Sequence, residues 1–198
     1  MKIVSCMKND VPADFSTVSR EKLPPVLCIV GYSGSGKTTV TVDLVAALRR
    51  RGLRVGTIKH DVHGFEMDQP GKDSWRHKQA GAATTIVTSP KQIGMVMDVD
   101  HDRQPLELLP LLRGMDIVLV EGFKRAELPK VEVFRPENQK PPACKGDRHI
   151  VAVVSGSPLN WDVPRFLPDD TEGICTFILA QLLPEFYEDS VCEQALCN

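Results

Sequence analysis

LCIVGYSGSGKTTVTVDLVAAL, Leu27 to Leu48, runs from an apolar stretch through a glycine-rich turn into a lysine, two threonines and an apolar-periodic segment. Residues Gly31 to Thr38 fit G-x-x-x-x-G-K-[ST] in full. The spacing follows from phosphate chemistry. Glycines let backbone N–H groups curl round the phosphates, and the start of the next helix adds positive partial charge. Lys37 reaches the β and γ phosphates, and the Thr38 hydroxyl serves Mg²⁺. The stretch therefore predicts a buried strand at Val26–Val30, a phosphate loop, and a helix over Lys37–Arg51. Val40, Leu44, Val45, Ala47 and Leu48 lie on one side of that helix, and Gly52 suits its C′ position behind the basic last turn. Tyr32 stands at the second position of the turn, where the partitioning-ATPase type of deviant loop carries a lysine, which argues against that group.

Outward from this point, Leu53–Ile58 reads as a second buried strand, completing a βαβ start. His60 to Gly71 has no periodicity and reads as a long loop, a common place for function. Asp73–Ala80 is a short helix. ATTIVT and IGMVMDV, either side of SPKQ, read as an antiparallel hairpin with Pro90 second in a type I turn. Pro105–Arg113 is helical and Gly114 ends it. Ile117–Val120, KVEVF and HIVAVVS are further strands, with ENQKPPACKGD between the last two an irregular, mobile loop. Thr171–Leu183 is a final helix stopped by Pro184. Alternating strands and helices predict an α/β fold of the P-loop NTPase kind: a mostly parallel central sheet with an antiparallel hairpin portion and helices on both faces. Residues 1–24 read as an extension, 25–184 as the nucleotide-binding domain, and 185–198 as a tail.

The chain has 198 residues, 42% apolar and 25% charged, with a formal charge of −2. That suits one ordinary globular domain. It offers no global attraction to nucleic acid or to an anionic membrane. No apolar run is long enough to span a bilayer, and polar residues interrupt the N-terminus before a signal-peptide core forms. The 6 cysteines include no C-x-x-C pair. They fit a reducing cytoplasm rather than a disulfide framework.

Three further stretches carry chemistry. In DIVLVEG, an apolar strand delivers Glu121 beside the phosphate loop, where a carboxylate holds Mg²⁺ directly or through water. Asp116 begins that strand and falls at the opposite edge. In TIKHDVHG, Asp61 follows the second strand at the sheet edge where ligands bind, within reach of the metal or the attacking water. Lys59 and His60 face the same crevice. His60, His63 and His77, with Asp61 and Asp68, match no standard zinc spacing. In DQPGKDSWRHKQAGA, Gly71–Ser74 open a helix with Asp73 or Ser74 as N-cap. That start and Lys72 suit an anion, or plain helix capping, and Trp75 suits packing. No N-K-x-D occurs, so the spacing leaves the nucleobase open.

VGYSGSGKTT, RVGTIKHDVHGFEMDQPGKDSWRHKQAGA and DIVLVEGFK together resemble the molybdopterin-guanine dinucleotide biosynthesis adaptor proteins (MobB-like), from about Pro25 to Val154. The KHDVHGFEMDQPGKDS run and VEGFK are the specific part, since the phosphate loop alone is widely shared. The resemblance implies a SIMIBI-type P-loop GTPase that binds GTP with Mg²⁺ and hydrolyses it weakly at most. It implies a homodimer that assists the molybdopterin guanylyltransferase, and through it molybdopterin. Carried over, the phosphate loop is Gly34, Ser35, Gly36, Lys37, Thr38 and Thr39. Asp61 and Glu121 join Thr38 on the metal side, and Lys37, Asp61 and Glu121 are the catalytic candidates. Lys59, His60, Asp68, Lys72, Asp73 and Ser74 belong to the family's loop pattern. No water-positioning glutamine or arginine finger stands out, so hydrolysis is expected to be slow. Arg125, Arg76 or a partner's arginine are the candidates to supply a finger. Two other classes share the phosphate loop. A small-molecule or nucleoside kinase needs an arginine-rich lid, and Glu137–Arg148 carries only one arginine. A metal-delivery GTPase needs a histidine tract or C-x-C, and neither is present.

Overall fold

Five consecutive apolar residues with no polar face, Val26–Val30, can be accommodated only in the middle of a sheet covered on both sides. The computed structural model, which describes residues 23–184, places them there. In chain order the elements are β1 (Val26–Val30), α1 (Lys37–Arg50), β2 (Val55–Lys59), α2 (Asp73–Gln79), β3 (Thr84–Thr88) and β4 (Ile93–Met97). They continue with α3 (Pro105–Leu108), β5 (Ile117–Glu121), β6 (Lys130–Val133), β7 (Ile150–Val154), β8 (Arg165–Phe166) and α4 (Thr171–Leu182). The main sheet has 6 strands in the order β2-β5-β1-β6-β7-β8. Every pairing in it is parallel.

Alternation along the strands divides the core. Leu27, Ile29, Leu119 and Val131 face α1 and α4, which meet them with Leu44, Leu48, Ile174 and Ile178. Cys28, Val30, Val118 and Val120 face the other way, under Leu109, Phe123 and Cys144. On that side the cover is short helix and loop rather than long helix. Arg50 and Arg51 pair with Glu172 at 2.9 and 2.8 Å and tie α1 to α4.

Several expectations are corrected. β2 is not a buried strand: it pairs with β5 alone, and as an edge strand it leaves Thr57 and Lys59 exposed. The helix expected over 105–113 is α3 followed by a 3₁₀ turn at Leu109–Leu112, because Pro110 has no N–H to continue the α ladder. The hairpin forms as expected, but β3 and β4 are a separate sheet of 2 strands rather than an edge of the main one. Its Ile86, Val87, Ile93, Met95 and Met97 are exposed. The two-residue strand β8 is too short to leave a periodic signal.

The segment expected to be an irregular, mobile loop is anchored. The buried Glu132 accepts hydrogen bonds from the Ala143 and Cys144 amides. The fully buried Lys130 reaches Asp147 at 2.8 Å. Burial pushes the Asp147 carboxyl up, but bonds from Lys130 and His149 outweigh it and hold it down at about 2. Gly52 adopts φ 83° after α1, as its C′ role requires. Among the described residues no helix is long and apolar enough to cross a membrane. Cys28, Cys144 and Cys175 are free and buried. The extension up to residue 22, the tail from 185, and Cys6, Cys192 and Cys197 lie outside the described residues.

Candidate functional site

Parallel strands bring their C-terminal ends to one edge of the sheet, and β1 lies near its middle. The turn leaving β1 therefore has a strand end on either side: β5 and then β2 on one flank, β6 and then β7 on the other. That places the phosphate loop between two unlike neighbours.

The loop itself is built for an anion. Gly36 sits at φ 95° as the N-cap of α1, a conformation that a side chain would strain. No side chain caps that helix start, so its first N–H groups point outward unclaimed by a cap. The Ser35 hydroxyl is buried without a hydrogen-bond partner. Lys37 Nζ donates to the Tyr32 carbonyl at 2.8 Å, and the Ser35 amide donates to the same oxygen at 3.2 Å. The loop thus holds its own lysine in place over the turn. Partial burial lowers the Lys37 pKa; Lys124 and Lys59 press it the same way, while Glu121 opposes them.

On the β5 flank, the Thr38 hydroxyl donates to Glu121 Oε1 at 3.0 Å. β1 and β5 are in register with Ile29 opposite Glu121, which aligns strand end with strand end. Gly122 follows at φ 112°, and a Cβ there would lie 3.1 Å from the His60 Cβ. Only glycine lets the chain turn so close to β2. Phe123 then takes the unusual φ of 52° and stacks on the His60 ring at 4.2 Å between centroids. His60 Nε2 pairs with Asp102 at 3.0 Å, so it is held by aromatic and acidic neighbours. Lys124 lies over the Tyr32 ring at 4.2 Å.

Asp61 is placed differently. It is exposed, and its Oδ1 accepts from the backbone N–H of His63 at 3.0 Å, closing a local turn. The structure thus brings Lys37, Thr38 and Glu121 together and leaves the Asp61 carboxylate engaged in its own loop. The α2 start also differs from expectation. Lys72 is the N-cap, without a side-chain cap, and Ser74 instead donates to Asp68 at 3.0 Å. The same Asp68 oxygen also accepts from the adjacent Gln69 amide at 2.9 Å. Asp116 pairs with Arg54 at the far edge, as its place at the strand start requires. Among the described residues, no three His, Cys, Asp or Glu side chains converge as metal ligands. Arg76 and Arg125 are exposed.

The β6–β7 flank holds a cavity of about 440 Å³. The first turn of α1 (Thr39, Val40), the chain leaving β6 (Phe134 to Glu137) and Gly156 after β7 line it. An Arg135 guanidinium nitrogen lies 3.6 Å from where a Cβ on Gly36 would stand. Asn138 Nδ2 donates to the Ser33 carbonyl at 3.4 Å. FRPEN matches no motif, so these residues carry no spacing signal. Their one signal is coarse: they follow the C-terminal end of the buried strand β6, at the same sheet edge where Glu121 ends β5.

The family model for molybdopterin guanine dinucleotide synthesis protein B matches residues 26–156. The chain is 42% identical over 161 residues to the molybdopterin-guanine dinucleotide biosynthesis adapter protein of Escherichia coli, covering 78% of this chain and 91% of that one. It is 37% identical over 153 residues to the protein of the same description from Haemophilus influenzae, covering 75% and 84%. The crystal structure of Bacillus subtilis MobB superposes with a TM-score of 0.65 at 28% identity, over 80% of this chain and 98% of that one.

Proposed function

The chain belongs to the MobB family of molybdopterin-guanine dinucleotide biosynthesis adapters, and from that premise we propose that it holds GTP with Mg²⁺ for the enzyme that attaches GMP to molybdopterin. The observation that carries the reading is the trio at the phosphate loop. Thr38 and Glu121 meet at 3.0 Å beside Lys37 and the partnerless Ser35 hydroxyl. A hydroxyl and a carboxylate at the start of α1 are the oxygen donors that Mg²⁺ takes beside a triphosphate.

The residues divide the work. Lys37 leaves the Tyr32 carbonyl for the β and γ phosphate oxygens. The outward amides of the loop and Ser35 take the remaining phosphate oxygens. Thr38 and Glu121 would hold the metal, and Asp61 would join them only once its turn to His63 opened. When bound, Mg²⁺ neutralises charge across the phosphates. The chain works by holding GTP rather than by turning it over rapidly, in keeping with the family's description as adapters. This is the adapter role, carried out in the cytoplasm with the guanylyltransferase as partner. The exposed apolar side chains of the β3–β4 hairpin support self-association as a homodimer.

The test is nucleotide-dependent capture. Wild-type chain with GTP and Mg²⁺ retains the molybdopterin guanylyltransferase, and Lys37→Ala does not. Equal capture by both, or equal capture with ATP, would sink the reading. A phosphorylated product from a panel of small hydroxyl compounds would move the chain to the kinase class.

A further inference from the structure

We propose that guanine is selected on the β6–β7 flank of the phosphate loop, with Glu137 as the residue that reads the base. The inference rests on the GTP reading above and goes beyond it, because no N-K-x-D motif is present to grip guanine.

The topology leaves one direction for the nucleoside. The metal pair Thr38 and Glu121 occupies the β5 side of the loop. A nucleotide held by its phosphates above β1 then extends its sugar and base to the opposite side, over the ends of β6 and β7. The cavity of about 440 Å³ lies there. It falls in the roughly 300–1,000 Å³ range of small-molecule sites. It opens from Ser35 and Gly36, so it is continuous with the phosphate cradle. Phe134, Pro136 and Pro168 among its lining residues offer flat or rigid apolar surface to a planar ring.

Its charges are few and opposed. Glu137 is the only acid among the lining residues and Arg135 the only base. Arg135 lies against Gly36, next to the phosphates. Glu137 stands two residues further on, in the 3₁₀ turn Pro136–Asn138. That turn is fastened to the phosphate loop by the Asn138 bond to Ser33. The acid is therefore held at a set distance from the phosphates rather than on a free loop. A carboxylate accepts two hydrogen bonds side by side. Guanine offers two such donors on one edge, N1–H and the 2-amino group. Adenine presents an acceptor lone pair at N1, which a carboxylate repels. The single acid in this cavity thus selects guanine over adenine through chemistry alone.

Calorimetric titration of the full chain with Mg²⁺ and GTP, ITP, XTP or ATP decides it. ITP lacks only the 2-amino group. Wild type is expected to bind GTP about tenfold tighter than ITP, and ATP more weakly still. In Glu137→Gln the gap between GTP and ITP closes and XTP gains relative to GTP, because a side-chain amide can donate to the xanthine 2-oxygen. In Glu137→Ala the gap closes without that gain. Wild-type chain that binds GTP but ranks ITP or ATP equal to it would overturn the inference. So would a gap that survives in both variants. Failure of wild type to bind GTP at all would overturn the phosphate-site reading, and this one with it.

Discussion

The loops that leave β5 and β2 end side by side at the same sheet edge, and each carries an acid that the sequence marks for Mg²⁺. They are built in opposite ways. After β5, Gly122 N donates to the Ile29 carbonyl at 3.0 Å, Phe123 is buried, and Glu121 already touches Thr38. After β2, Val62, Phe65 and Met67 are exposed, and Asp61 is bonded within its own turn. A strand-end position alone therefore does not make a ligand. The β5 acid is still on the strand, with a paired neighbour on each side to aim it. The β2 acid is past the end of an edge strand and turns with its loop.

Phe123→Ala should have the largest effect, about 3 kcal/mol of stability in urea unfolding, because it empties a core site and removes the surface on which His60 stacks. A loss below about 1 kcal/mol would mean that the β5 loop is not anchored as described. Next, Glu121→Gln should weaken Mg²⁺-dependent GTP binding about a hundredfold by calorimetry, with unfolding little changed. Asp61→Asn should cost no more than about fivefold in the same titration, the scale of an exposed charge. If the two acids cost the same, the β2 loop closes on the nucleotide and the contrast between them disappears. The smallest effect should come from the hairpin beyond that loop. Ile93→Ser, at 73% exposure, should leave dilute-chain stability within about 0.5 kcal/mol while weakening self-association in sedimentation. A marked loss of stability would place the hairpin in the chain's own core.

What the sequence discloses follows the same division. Val26–Val30 and Ile117–Val120 are apolar throughout, and their burial, direction and neighbouring motif are legible without coordinates. The phosphate loop is legible because nearly every position is constrained by a backbone or phosphate contact. The edge position of β2 is not legible, since an edge strand and a central one can share the pattern LRVGTI. KVEVF is legible as a strand, but the burial of its Lys130 and Glu132 is not, since each is matched by a partner in the following loop: Asp147 for one, the Ala143 and Cys144 amides for the other. Such partners have no local signature. The same holds for Arg135 and Glu137, whose setting comes from lying beside β1, a neighbour set by topology rather than by spacing.

The position of β1 has a consequence for how the protein is made. Among the described strands it is the first to leave the ribosome, yet both of its neighbours, β5 and β6, come after the hairpin and its flanking helices. Synthesis proceeds at roughly 5–20 residues per second, so these five apolar residues must wait for seconds with no strand to pair with. Parallel pairing over so long a loop is also slow to form once the chain is complete. The phosphate loop hangs from the end of β1 and cannot take shape before it. The nucleotide site is thus encoded early and assembled late, and a nascent chain that stops before β5 leaves β1 without either of its partner strands.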